Sequence, residues 1–418
     1  MRSELFQNRN FTWYLAGNTV SLHGQWMHRV ALGWLTWQLT ASELWIGIIA
    51  ATEFMPTMFL SPLFGVMADR FDRRTMALAS AALSTILAAL LAGFTALDMM
   101  NIRILWCLVF ILGLINAIFQ PVRMSIIPSL VKREHLTPAV AFQSISFNVS
   151  RFVGPALAGP IIAFWGLATA FALNAISYLV LIAVLLFVRF KTARSGSKQS
   201  NFLADFGAGI RYTARHATIG PQLMLVGVNS TLGRGIVPSM LPAFAGAIFA
   251  GGSTVLATLT SVSGAGAIIG GFWLSKEQST LRLQAVTHWS LVFTGVLLSV
   301  LGFTESYPVG IAVVAALGFT ISLSGIGSTS LIQTAVAEEM RGRVLSFWGV
   351  LALAAPAFGT LLIGAAATHV GLSRTTSICG FLCVLLALLL LRRVAARKQS
   401  VLVSIKTKEE PIRPGTTD

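Results

Sequence analysis

Charge is what this chain lacks most. Only 11% of its 418 residues are Asp, Glu, Lys or Arg, against roughly 25% in a soluble domain, which excludes a fold whose whole surface meets water. Acids are the scarcer sign, 15 against 30 basic residues. Cysteine is nearly absent as well. Cys107, Cys379 and Cys383 all lie inside apolar runs and are expected to be buried small hydrophobes. They imply no disulfide and, with no histidine beside them, no metal site. There is no phosphate-binding glycine loop with its lysine, no zinc spacing and no nucleophile elbow. Neither an enzyme nor an ATP-driven machine is therefore expected, and no cofactor. The N-terminal MRSELFQNRN is polar and has no early apolar core ahead of a cleavage site, so no removable leader is expected.

What the chain has is apolar length: 55% of its residues are hydrophobic. A membrane span takes about 20 such residues. Twelve runs of that order occur, at 11–39, 45–68, 75–97, 104–127, 139–165, 167–190, 219–249, 253–275, 283–303, 309–334, 343–369 and 372–394. Twelve is even, so both termini share a side. The loops on that side hold most of the Lys and Arg, while the opposite loops hold only Arg103 and Arg374. Basic loops stay cytoplasmic, which places both termini in the cytoplasm and the chain in the cytoplasmic (inner) membrane. The net charge of +15 is then topology and contact with anionic lipid rather than a nucleic-acid footprint.

The chain repeats itself. SIIPSLVKRE (from Ser125) and SLIQTAVAEE (from Ser330) stand 205 residues apart. The same offset links Leu112-Gly113 to Leu317-Gly318, Gly65 to Gly270, and Arg29 to Arg234. This predicts an all-α membrane protein of two parallel six-helix repeats, an architecture of transporters whose substrate site lies near the midplane. The expected parts are a bundle over 1–190, a cytoplasmic linker over 191–217 with an amphipathic helix in FLADFGAGIRYTARH, a second bundle over 218–394, and a disordered polar tail over 395–418. A monomer is expected.

Between spans two and three stands GVMADRFDRR, with five charged residues among the six from Asp69 to Arg74. It resembles the glycine, aspartate, arginine and basic-pair signature of the major facilitator superfamily, except that Asp72 stands where that pattern has glycine. FQPVRMSIIPSLVKREHL and SFNVSRFVGPALAGP resemble the fourth and fifth spans of that superfamily's drug and siderophore exporters. Gly154, Pro155 and Gly159, next to Arg151, resemble in abbreviated form the antiporter signature of span five. The resemblance covers nearly the whole chain and implies the twelve-helix major facilitator fold. It also implies a conformational latch: Gly65 lets a helix approach closely, and Asp69 meets the start of span eleven near Gly342 and Arg343. Arg70, Arg73 and Arg74 belong to the same signature, and the basic pair is able to join Asp69 or Asp72. The alternative is a solvated turn serving only topology. The second-half equivalent, LSKEQS, lacks the pattern, so a latch is asymmetric.

Polar groups inside spans are costly and point to function. At about 100° per residue, Asn18, Gln25, Arg29 and Thr36 share one face of span one, flanked by His28. Asn116, Gln120 and Arg123 share a face of span four. Arg234, between two glycines, marks a broken span seven. Asn18, Gln25, Arg29, Asn116, Gln120 and Arg234 are the candidate substrate-binding residues. Arg123 either lines the cavity or snorkels to the interface. Arg151 either lines it or bonds backbone at a hinge. His23 lies off the stripe and is assigned to packing. Glu53 is the one acid placed deep in a span, so it relays protons, pairs with an arginine, or touches substrate. His28 is the second proton-coupling candidate.

Several arginines against one glutamate favour an anionic or zwitterionic small molecule, siderophore-like, with drug-like amphiphiles next. The function expected is secondary export of such a molecule in exchange for protons. Import, or a non-transporting sensor or scaffold of the same fold, are the alternatives. Small-molecule substrate, protons and membrane lipid are the partners implied.

Overall fold

The computed structural model describes residues 2–68, 72–188, 207, 211–214, 216, 218–237, 239–277, 279–337 and 340–409. They hold helices and no strand. The first half contains α1 (Arg2–Gln7), α2 (Arg9–Thr40), α3 (Glu43–Ala68), α4 (Arg73–Ala96), α5 (Ile102–Leu130) and α6 (Leu136–Phe187). The second contains α7 (Ile219–Val228), two short helices α8 (Arg234–Ile236) and α9 (Leu241–Ala243), α10 (Ser253–Leu274), α11 (Thr280–Phe303), α12 (Tyr307–Ala335), α13 (Arg341–Val370) and α14 (Leu372–Glu409). Side chains start several of them: Asn8 accepts from the Phe11 amide, Asn101 from Arg103 and Ile104, and Ser279 from Arg282. Each satisfies an amide that has no partner in the first helical turn.

Among the described residues eight helices are long and apolar enough to cross a membrane. One of them is α6, which carries two expected spans divided at Gly166 (φ 83°). The apolar stretch of α5 runs over Ile102–Ile118. Helix α2 falls short because its polar stripe lowers its hydropathy, and residues 219–248 because they are broken into helical pieces. Counting both arms of α6 and that broken segment, the helices cover the twelve expected runs.

The duplication is visible in the backbone. Gly166 divides the two arms of α6 and Gly371 divides α13 from α14, both with positive φ (83° and 88°). They are 205 residues apart, and only glycine turns there without strain. Gly113 of α5 packs against the backbone of Thr52 and Glu53 in α3, and its repeat partner Gly318 of α12 packs against Ser263 in α10. The halves meet along two seams, α3 with α13 and α6 with α10, which the repeat operation exchanges.

Both seams pack closely at the end away from the termini, the far end. A Cβ on Gly47 would sit 2.6 Å from Leu361 Cα, Gly364 abuts the Glu43 carbonyl, and Gly159 abuts Ala257. Such close backbone approach needs small residues. One buried apolar cluster there joins both halves, from Met27 and Leu35 to Phe244 and Leu256. At the end bearing the linker, the buried apolar clusters of the described residues each stay within one half: Tyr14 with Ile126 and Leu181 in the first, and Leu223 with Ile332 and Val344, and Leu225 with Leu291 and Leu390, in the second.

Two differences from expectation follow from local physics. Cys379 and Cys383 are buried, but Cys107 is exposed, beside the outward Trp106 and Phe110. An apolar face toward acyl chains accepts a thiol as a core does. Helix α14 continues to Glu409, into the stretch expected to be disordered; VAARKQ favours helix, and the span supplies the nucleus. Of the linker helix, only 207, 211–214 and 216 are described, where Tyr212 Oη accepts from the Ala337 amide at 3.4 Å.

Candidate substrate cavity

A cavity of about 120 Å³ lies between the halves. Helix α2 supplies Trp26 and Arg29, α3 supplies Ala50, Glu53 and Phe54, and the first arm of α6 supplies Pro155. The second half adds Arg234, Ser239 and Pro242 from the broken segment, and Ala352 and Pro356 from α13. The repeat-related arginines therefore line one space.

Arg29 is held on three sides. Its Nε donates to Glu53 Oε1 at 3.0 Å. Its guanidinium lies over the Trp26 ring at 4.5 Å and the Phe54 ring at 4.9 Å. Glu53 is 8% exposed, so the carboxylate needs this partner, because an unpaired charge in an apolar wall is costly. Of the three roles open to Glu53, the arginine pairing is the one the geometry displays.

Arg234 is placed by a broken helix. Residues Asn229–Gly233 form a π-turn, a wider coil that recurs at functional sites. Asn229 Nδ2 anchors it to the Ile321 carbonyl at 3.2 Å. After Ile236 the chain extends at Val237 (φ −111°, ψ 119°). The freed carbonyl of Gly235 is taken by Thr360 Oγ1 at 3.1 Å, and that of Arg234 by Ser239 Oγ at 3.3 Å. Arg234 Nη1 donates to the Ala352 carbonyl at 3.1 Å. Its charge meets main chain rather than a carboxylate.

The other candidates lie elsewhere. Asn18 is buried and accepts from Arg123 Nη2 at 3.2 Å, which turns Arg123 inward rather than toward the interface. Gln25 donates to Ser21 at 3.1 Å. Asn116 is half-buried and outside the lining, and the side chain of Gln120 lies outside the described residues. His28 is buried against Phe171 at 5.1 Å, away from the cavity, and neither ring nitrogen has a partner. His23 packs as assigned, its Nδ1 near Thr19 O (2.7 Å) and Ser150 Oγ (3.0 Å). Arg151 is half-buried, 4.9 Å over the Phe152 ring. Its neighbours divide the work: Gly154 packs against Trp26, Pro155 lines the cavity, and Gly159 closes the far-end seam. Trp26, Phe54, Ser239 and Pro356 were not picked out by sequence; the only signal was that Trp26 and Phe54 stand beside Arg29 and Glu53.

Of the latch residues, Asp69 and Arg70 lie outside the described residues, as do the side-chain environments at Gly65, Arg73 and Gly342. Asp72 caps α4, its Oδ2 accepting from the Thr75 amide at 2.8 Å, which gives the departure from the glycine pattern a purpose. Arg74 does not join Asp72. It donates to the carbonyls of Leu185 (3.1 Å) and Leu186 at the end of α6, where a helix terminus favours a cation. Arg343 Nη1 lies 3.6 Å from Met340 Sδ.

Comparison with known proteins agrees with this architecture. The Staphyloferrin A transporter of Staphylococcus aureus is 26% identical over 85% of this chain and 89% of its own. Macrolide efflux protein A of Streptococcus pyogenes is 24% identical over 92% and 96%, and the enterobactin exporter EntS of Salmonella choleraesuis 23% over 85% of each. A bacterial homologue of the human lysosomal transporter Spinster, solved inward-facing and occupied, shares the fold with a TM-score of 0.70 at 12% identity, over 93% of this chain and 97% of that one. The family model described as transmembrane secretion effector matches residues 4–412. The chain is thus a membrane transporter rather than an enzyme, and it belongs to the transmembrane secretion effector family of the major facilitator superfamily.

Proposed function

We propose that this chain is a secondary active transporter of the cytoplasmic membrane, both termini cytoplasmic, that exports a small anionic or amphipathic molecule in exchange for protons by alternating access. The molecule is siderophore-like or drug-like. The observation that supports this most is the Arg29–Glu53 pair sharing one cavity with Arg234 between the two repeats. A carboxylate is able to bind and release a proton as the cavity changes sides; a permanently charged arginine is not. With the linker end cytoplasmic, the tight far-end seams correspond to a cavity closed to the outside. Two of the relatives above are named for export or efflux, which favours that direction.

The test is flux of a siderophore or macrolide in proteoliposomes with and without an imposed pH gradient, and in right-side-out and everted vesicles. Gradient-dependent accumulation in everted vesicles is the expected outcome. Accumulation in right-side-out vesicles instead would establish import, and no flux in either would leave a sensor or scaffold.

A further inference from the structure

We propose that the molecule exchanged for protons is a zwitterion with an apolar body, its cationic group received by Glu53 and its acidic group by Arg234. This rests on the proton-exchange reading above and names the substrate class of that cavity.

The cavity has two chemically different walls. The first half presents Glu53 with Arg29 bound to it, and the second presents Arg234 on a main-chain carbonyl. Arg29 is a fixed fixture: aromatic rings lie over its guanidinium and its Nε is taken. Arg234 is the arginine with its charge to offer. Around Glu53 the ionisable groups are few. Helix α2 brings Arg29 and the broken segment brings Arg234. Helix α5 packs behind with Gly113 and Trp106, the latter bonded to Thr52 at 3.1 Å. Helix α13 faces the cavity with Ala352, Pro356 and Ala357. Tyr178 of α6 lies within electrostatic range.

The sign of coupling follows from charge. A negative group arriving beside Glu53 favours its protonated form, so an anion and a proton load together and travel the same way. That is co-transport, so the exchange proposed above narrows its anionic or amphipathic class to molecules that also carry a cationic group. Exchange requires that substrate and proton exclude each other, so the group replacing the proton on Glu53 must be positive. A bare cation fails on the other wall, where it meets Arg234 in a low-dielectric space with a second arginine nearby. A zwitterion satisfies both walls. Its ammonium takes the place of the proton, which leaves to the open side, and its carboxylate meets Arg234. No bond of the substrate changes. The remaining lining, with Val30, Ile46, Ile49 and Pro356, suits an apolar body.

Benzylpenicillin, ampicillin and ampicillin methyl ester share one skeleton as anion, zwitterion and cation. Equilibrium binding of each to the purified full chain in lipid nanodiscs is measured between about pH 3.5 and 6.5, a window that extends below the usual free-glutamate value. Ampicillin is expected to bind tightest, with affinity falling on acidification by up to about ten-fold per pH unit. Glu53→Gln flattens that slope and Glu53→Asp keeps it. Arg234→Gln weakens ampicillin and benzylpenicillin but spares the methyl ester. Benzylpenicillin binding as tightly as ampicillin, an ampicillin affinity that rises as pH falls, or no ampicillin binding at millimolar concentration overturns the proposal. The same probes separate it from the transport reading: benzylpenicillin flux in the direction of the proton removes the zwitterion assignment alone, whereas no flux of a siderophore, a macrolide or any of these probes removes transport itself.

Discussion

Arg29 and Arg234 stand 205 positions apart and line one cavity from opposite halves, the first bonded to Glu53 at 3.0 Å and the second to the Ala352 carbonyl at 3.1 Å. Duplication supplied the pair, and divergence gave its members different partners. The position equivalent to Glu53 in the second half is Thr258, whose hydroxyl bonds back to Thr254 in its own helix. One half thus holds an acid and its counter-charge, and the other holds a cation without an acid beside it.

That asymmetry predicts separable losses. Arg234→Ala is expected to weaken binding of an acidic substrate about ten- to a hundred-fold, the range of a charge-assisted hydrogen bond, and a neutral analogue far less. Arg29→Ala is expected to act on both charge and fold, because it leaves Glu53 buried alone. Equal loss for acidic and neutral ligands in Arg234→Ala would assign Arg234 to structure.

On the proposed role of Glu53 as proton carrier, Glu53→Gln removes that carrier but keeps the shape of the protonated side chain. Proton-driven accumulation in proteoliposomes is expected to vanish while downhill exchange of substrate continues. Accumulation that persists in this variant under a pH gradient would leave Glu53 as a structural partner of Arg29. Wild-type accumulation should disappear when the gradient is collapsed and the variant's exchange should be insensitive to it.

The turn between α3 and α4 supports a kinetic prediction. Asp72 is engaged as a cap and Arg74 on the end of α6, while Asp69, which the family resemblance brings to the start of span eleven, is the latch residue to test. Asp69→Asn is expected to slow transport about five- to thirty-fold, the factor for 1–2 kcal/mol, with substrate affinity nearly unchanged. Full transport would reduce the motif to a topology signal.

Gly159 tests the far-end seam. It lies against the Ala257 backbone, so a valine there has no room unless the halves part. Overpacking of this kind costs about 1–3 kcal/mol. In a Gly159→Val background, a cysteine replacing Ala257 is expected to react roughly ten-fold faster with an impermeant maleimide. An unchanged rate would mean that the seam does not gate the cavity.

The linear sequence was enough for the spans, the duplication and the two arginines, because each is a property of spacing. Apolar length sets a membrane helix, and a fixed offset survives as long as both copies keep their glycines. Even the break in span seven is legible in Gly233, Gly235 and Pro238. Sequence also named Glu53, since an acid inside a span stands out against a background of so few. What it did not decide was company. Asn18, Gln25 and His28 share the stripe of α2 with Arg29, yet only Arg29 reaches the cavity, because which part of a stripe faces the other half depends on where the helices cross. The aromatic clamp of Trp26 and Phe54 was hidden for the same reason, since a membrane chain shows aromatics to lipid and to cavities alike. Periodicity fixes a face on one helix; only packing between helices decides which turn of that face meets a charge across the gap.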